Sequence, residues 1–350
     1  MNSAAFSNLF VTDFGFFPSV DDITATGAVQ SGLHERAAAA ARAQFGRAVF
    51  VRAVVEISNH CRQQCAYCGM RRDNRQLTRY RAEADALAEL IISHRPGCVT
   101  DVNIQAGEDP VAVREVAIPL IRRIRRETNL GVSVCLGTLS HELCDALREA
   151  GASIYILKFE CADAKKYAAY QAPGTLHQRL ELIRHLASTG WAVSSGFIAG
   201  LPGQTAADLI ENLELAASLP LDGCSVSPFI PGEATPLAGN TGANIDWTLN
   251  TLAAMRLMRP DWVIPAVSAF NIADHDGYRR ALRAGANLAT INMTPDDLRG
   301  NYVIYKRDRF IMTASRVLDA IEAEGLVPSR LGLAAHYQNG VAGMAAATSA

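Results

Sequence analysis

A chain of 350 residues, 49% apolar and 19% charged, is long enough to bury a large core and is ordinary for a globular protein. Its formal net charge of -2 argues against nucleic acid or an anionic membrane as a partner, and no stretch approaches the ~20 apolar residues of a membrane span. Eight cysteines are too sparse for a disulfide scaffold; beside an N-terminus without the basic start of a secretory signal, they read as metal ligands or buried thiols of a cytoplasmic protein.

Residues 1–30 are irregular and aromatic-rich, with Phe6, Phe10, Phe14, Phe16 and Phe17, and read either as a segment packed on the body or as a docking segment. His34 to Gly46 is alanine-rich and ends at a glycine, which predicts a helix. Beyond it, short apolar, β-branched runs at 51–57, 100–105, 131–136, 153–158, 192–198, 222–227, 263–267 and 288–292 read as strands. Segments with helical spacing lie between them, at 82–93, 111–127, 140–149, 177–188, 205–217, 247–258 and 276–284. Strands alternating with helices make parallel α/β units, and eight units over ~250 residues fit a closed (β/α)8 TIM-type barrel better than an open doubly wound sheet. The expected organisation is an N-terminal helical extension over 1–48, the barrel over 49–330 and a tail over 331–350. A C-terminal helix is expected at 312–324, covering the barrel, and the composition of the last residues, GMAAATSA, predicts no fixed structure.

The strongest chemical signal is HCRQQCAYCGMRRDN directly after the first strand, with Cys61, Cys65 and Cys68 spaced CxxxCxxC. One loop can wrap three such thiolates around one metal centre, and thiolates suit iron–sulfur clusters. Three ligands leave one iron of a four-iron cluster open, at the end of a barrel where active sites lie. A structural zinc site needs four closed ligands, which this stretch does not supply, and three incidental cysteines would not keep this spacing.

At these residues the chain resembles the radical S-adenosylmethionine superfamily, whose signature is CxxxCxxC with an aromatic, here Tyr67, before the last cysteine. The resemblance runs from about residue 50 to 330. It is strongest to the group that holds the FeFe-hydrogenase maturase HydE, methylornithine synthase and biotin synthase. The further matching stretches are QAGEDP at 105–110, GLPGQT at 200–205, SPFIPGEATPLAG at 227–239 and RAGANLATINMTP at 283–295. It implies one 4Fe–4S cluster on Cys61, Cys65 and Cys68, with S-adenosylmethionine (SAM) chelated on the open iron. One-electron reduction then cleaves SAM to a 5′-deoxyadenosyl radical that acts on a small molecule inside the barrel. A flavodoxin- or ferredoxin-type reductant is the implied partner.

The resemblance further implies cofactor contacts at Tyr67, Gly107, Glu108, Lys158, Glu160 and Arg179. Gly107 would permit close approach to the methionine part, Glu160 would meet the ribose or sulfonium, and Arg179 the carboxylate. Lys158 stands where relatives carry arginine and lacks the bidentate fork. Alternation puts Ser133 and Cys135 on one side of their strand, facing the cavity; these two with Ser268 and Asn292 are the candidate substrate contacts, and Cys135 is the candidate catalytic residue. The position from which methylornithine synthase holds its amino-acid substrate with a carboxylate is Ala269, with Asp274 and Asp276 further along the loop. The basic run at Arg71, Arg72, Arg75, Arg79 and Arg81 reads as a solvated, capped loop or as a docking patch for an acidic reductant. The stretch YVIYKRDRFIMTAS has no cysteine for a second cluster. A HydE-like maturase or sister activity comes first, an amino-acid carbon-skeleton mutase like methylornithine synthase second. A non-catalytic redox sensor or cluster carrier is the reading outside enzymology.

Overall fold

In the computed structural model, which describes residues 15–307 and 310–339, short parallel strands alternate with helices. The strands are β1 (Ala48–Ser58), β2 (Asp101–Ala106), β3 (Gly131–Cys135), β4 (Ile154–Ile156), β5 (Ala192–Ala199), β6 (Gly223–Pro228) and β7 (Leu288–Asn292). They pair in the order β6-β5-β4-β3-β2-β1-β7, all parallel. The twofold period of β1 divides its side chains cleanly. Val49, Val51, Ala53, Val55 and Ile57 are buried against the helices, while Arg52, Val54 and Glu56 point to the inside.

The run at 263–267, expected to be a regular strand, is instead a closing stave held by isolated bridges. Val263 bridges Gly223 of β6 and Pro265 bridges Leu288 of β7, so the sheet closes on itself through this segment. Pro265 has no N–H to donate and breaks the ladder there. Side chains supply what the ladder does not. Arg256, buried on helix Ile245–Met258, donates to the carbonyls of Pro260, Trp262 and Gly285 and to Asn287 Oδ1 at 2.7–2.9 Å. Asn287 Oδ1 also accepts from the Ile264 amide at 2.8 Å. Burial lowers the Arg256 pKa to about 9, which leaves the guanidinium charged at neutral pH. Arg256→Met therefore strands several buried acceptors, each costing about 1–3 kcal/mol. The expected loss is at least about 3 kcal/mol by urea denaturation, and a loss under about 1 kcal/mol would mean that the stave holds itself.

The N-terminal helix begins at Gly27, ahead of the predicted His34, and ends at Phe45. Buried Asn250 ties it to the barrel, donating to the carbonyls of Ile23 and Ala25 and accepting from Gln30 and His34. Phe16 packs against the core while Phe17 is exposed; Phe6, Phe10 and Phe14 lie outside the described residues. The covering helix runs Ala314–Ala323 as expected. Residues 333–339, which the sequence places in a tail, form a helix that plugs the barrel's N-terminal end. The carboxylate of buried Asp101 accepts from the Leu333 and Ala334 amides at 2.6 and 2.9 Å, satisfying the first donors of that helix. A two-residue strand, β8 (Val327–Pro328), pairs with the start of β1 just before it. The stretch GMAAATSA lies outside the described residues. Among the described residues no helix is long and apolar enough to cross a membrane.

Candidate active site

With one end plugged, the interior opens at the C-terminal ends of the strands as a cavity of about 370 Å³. Cys61, Cys65 and Cys68 all line it, on the loop that leaves β1. That loop is pinned from several sides: Ala66 N donates to Tyr170 O, Gly69 N to Ile304 O and Arg62 N to Glu108 O. Burial raises the pKa of each thiol, and the nearness of the three sulfurs to one another adds to this for Cys65 and Cys68, the latter reaching about 12. Three thiols crowded in a largely buried site resist ionisation unless a cationic centre takes the charge. Among the described residues no three His, Cys, Asp or Glu side chains converge on one ion position. A cluster does not ask for that, because each thiolate binds a different iron. Three thiolates on one short loop are the ligand set of an iron–sulfur cluster with one iron open.

Gly107 follows β2 where a Cβ would meet the His60 carbonyl at 2.2 Å and the Cys61 Cβ at 2.9 Å, so only glycine lets the two loops touch. The next residue closes the contact. Glu108 N donates to Cys61 Sγ at 3.4 Å. Its carboxylate Oε1 accepts from Arg62 Nε and Gln63 Nε2, both at 2.6 Å, and Oε2 accepts from Thr138 N at 2.9 Å. The Glu108 side chain is thereby committed to protein partners, and its action is to clasp the cysteine loop to the β2 and β3 loops.

Thr138 carries the clasp onward, since its hydroxyl accepts from Arg179 Nη1 at 2.6 Å. Arg179 sits in the first turn of helix Leu176–Ser188, whose start is fixed by a capping box between Thr175 and Gln178. It is buried, and its Nε has no hydrogen-bond partner. Glu160 follows β4, which ends at Ile156 and so stops short of Lys158. Its backbone is left-handed, at φ 64, held by a bridge to Phe197 of β5. That conformation is uncommon for a non-glycine residue and persists only where the surroundings impose it. Glu160 Oε2 is buried without a partner, and burial holds its pKa above the usual carboxylate range against the pull of Lys158 and Arg179. The Tyr67 hydroxyl is a third buried polar atom without a hydrogen-bond partner. These orphans line one cavity beside the cysteines, and buried polar atoms normally find partners. They mark a place for a polar, charged molecule.

Cys135, Ser268 and Asn292 line the cavity as expected, and Ser133 does not. Ser133 is buried, and its hydroxyl bonds Asn103 Oδ1 at 3.0 Å, which places it behind a lining residue. Lys158 donates to Ser227 Oγ at 2.9 Å. Ala269 lines the cavity, whereas Asp274 and Asp276 do not. Asp274 is paired with Arg280 at 2.6 Å, and Asp276 faces Arg279 and Arg283. The end of β6 and the residues after it, 227–230, line the cavity; GLPGQT lies behind them, with Leu201 in one apolar cluster with Tyr67, Tyr170 and Phe229. Thr205 caps the following helix through a capping box with Asp208.

Two charged lining residues escape the sequence reading: Arg52 and Glu56. Arg52 donates to Thr290 Oγ1 at 3.1 Å, and Glu56 accepts from Asn292 Nδ2 at 3.2 Å. The signal for them was present, because polar residues two and four positions apart in an apolar strand share a face with Val54. Arg52 and Lys158 both act on the Cys135 thiol and oppose the burial that raises its pKa. A larger open groove, about 850 Å³, lies at the plugged end beside Arg95, Arg125 and Gln338. It contains none of the candidate residues, and that end of a barrel serves stability.

Residues 55–216 match the radical SAM superfamily. The chain is 34% identical over 265 residues to the [FeFe] hydrogenase maturase subunit HydE of Thermotoga maritima, covering 75% of this chain and 76% of that protein. It is 27% identical over 293 residues to 3-methylornithine synthase of Methanosarcina barkeri, covering 82% of each. Its fold is similar to the crystal structure of methylornithine synthase (PylB), with a TM-score of 0.81 at 24% identity over 93% of this chain and 97% of that one.

Proposed function

This chain belongs to the radical SAM superfamily, and on that premise we propose that Cys61, Cys65 and Cys68 hold its cluster while Glu160, Arg179 and Tyr67 receive its SAM. Members of this family are enzymes that use a 4Fe–4S cluster and SAM and act on small molecules. The observation that carries the assignment is the convergence of three cysteines and the orphaned Glu160 Oε2 and Arg179 Nε on one cavity. When bound, the cluster and SAM supply a 5′-deoxyadenosyl radical that abstracts hydrogen. The chain's own groups bind, orient and exclude water. Arg179 offers a fixed donor to a carboxylate, with its other edge held by Thr138. Glu160 presents an acceptor, locked by its left-handed backbone, to an ammonium or hydroxyl group. Glu108 keeps the cysteine loop against the β2 and β3 loops. Gly107, its N–H held by Ser58 O, brings the β2 loop against the cysteine loop with no side chain between them.

The substrate is a small polar or anionic molecule held at the cavity floor by Arg52, Lys158, Ser268 and Asn292, with Cys135 among them. A HydE-like or sister reaction suits this floor better than a carbon-skeleton rearrangement of lysine. A desolvated ammonium without a carboxylate costs several kcal/mol. The position of interest is Ala269, Asp274 and Asp276 are paired with arginines, and the one carboxylate left on this floor among the described residues, Glu56, lies on β1 with Asn292 on one of its oxygens. Anaerobic incubation with lysine, SAM and dithionite is therefore expected to yield 5′-deoxyadenosine slowly and no methylornithine by mass spectrometry. A methylornithine peak that disappears in Cys68→Ala would promote the mutase reading. The electron comes from a flavodoxin- or ferredoxin-type protein of the cytoplasm, which would meet exposed Arg62, Arg72 and Arg75 beside the cluster loop.

A further inference from the structure

Arg79 stands outside the cavity and makes no ion pair with any carboxylate among the described residues. Its guanidinium instead spans the cysteine loop from behind. Nη1 donates to Asn59 O at 2.5 Å, ahead of Cys61, and to Met70 O at 3.0 Å, after Cys68. Nη2 donates to the carbonyls of Arg71, Arg72 and Asn74 at 2.7, 3.4 and 3.2 Å. One planar fork thus joins the two ends of the segment that carries all three cysteines, which a lysine ammonium could not span as well. The neighbouring Asn59 secures the same junction, donating to Thr78 O and Asn301 O and accepting from Tyr80 N at 2.8 Å.

We infer that Arg79 is a positioning residue that buckles the cluster loop and sets the reduction potential of the cluster held there. The inference rests on the assignment of the triad made above. Adding an electron makes a thiolate-bound cluster more negative. A fixed cation that is half-buried, without an ion pair and hydrogen-bonded to both ends of the loop that carries the three thiolates favours that state. It also turns five carbonyl oxygens toward itself.

The test is a redox titration of anaerobically reconstituted full-length protein, followed by the electron paramagnetic resonance of the reduced cluster, with iron loss to a chelator measured in parallel. Arg79→Gln is expected to lower the ratio of reduced to oxidised cluster about tenfold at the wild-type midpoint, equivalent to 59 mV for a one-electron couple. Arg79→Lys keeps the charge but not the fork. It is expected to stay within about twofold of wild type in that ratio while losing iron several-fold faster. If Arg79→Gln takes up no cluster and Arg79→Lys does, the buckle is supported. Absence of cluster from both variants, with wild-type melting temperatures, supports it as well. A wild-type potential in Arg79→Gln overturns the proposal whatever its iron retention. Wild-type protein that takes up no four-iron cluster removes the triad assignment, and this inference with it, and that outcome is read without any variant.

Discussion

Alanine at any one of Cys61, Cys65 or Cys68 is expected to abolish reductive cleavage of SAM, while alanine at Cys98 or Cys144 leaves it intact. Two thiolates cannot hold a four-iron cluster with one iron left open. Among the described residues no fourth cysteine stands by to replace a lost one. Cys135 lines the same cavity but on β3, across from the loop, and Cys161 packs behind the cysteine loop with Tyr167 and Tyr170. Cys144 is buried in the packed face of helix His141–Ala150, and Cys98 lies outside the cavity. Iron content after reconstitution should fall well below the wild-type value of about four per chain. Cleavage retained in all three alanine variants would falsify the assignment of the triad; loss in Cys144→Ala with an unchanged fold would point to a cluster elsewhere.

Arg179→Ala should weaken SAM binding by about 10- to 100-fold with the cluster still assembled. A charge-assisted bond in a buried site is worth about 1.5–3 kcal/mol, and each 1.4 kcal/mol is tenfold in affinity. The geometry makes the residue suited to that role. The capping box fixes the helix start, Thr138 holds one edge of the guanidinium, and Nε has no protein partner. Arg179 also stabilises the Glu160 carboxylate against burial, so its loss favours protonation of Glu160 and removes a second contact. Arg179→Lys keeps the charge and should recover part of the affinity, as the fork is lost. Calorimetric titration of the reconstituted proteins reads both. Wild-type affinity in the alanine variant would show that the guanidinium serves only the Glu108–Thr138 clasp.

Much of the barrel was legible because its period is. One face of β1 is apolar throughout, from Val49 to Ile57, and apolar β-branched runs recur between segments of helical spacing along the chain. The triad was legible because its three ligands lie within one short loop. What escaped depends on neighbours distant in sequence. Pro265 interrupts the seventh stave, but the compensation comes from Arg256 and Asn287 on other elements. The partners of the Glu108 side chain, Arg62, Gln63 and Thr138, come from two separate loops, and no spacing in the sequence reports them. Ser133 had the right parity but one step too much depth, which alternation alone does not report. The left-handed backbone of Glu160 has no local cause, since it is imposed by pairing with β5. Arg52 and Glu56 were readable and were passed over, because an apolar run draws attention to its majority. The tail helix gave no amphipathic signal over so few residues, and its anchor, Asp101, lies over 200 positions away.

The central claim is that this chain uses its cysteine loop to cleave SAM reductively, and the most direct measurement is product analysis under anaerobic conditions. Reconstituted protein is incubated with SAM and dithionite, and 5′-deoxyadenosine and methionine are quantified by liquid chromatography and mass spectrometry. The account predicts both products in equal amounts, dependent on the reductant and absent from Cys65→Ala. A protein that carries four irons, binds SAM and forms no 5′-deoxyadenosine under reduction would contradict it and return the chain to the class of cluster carriers or sensors.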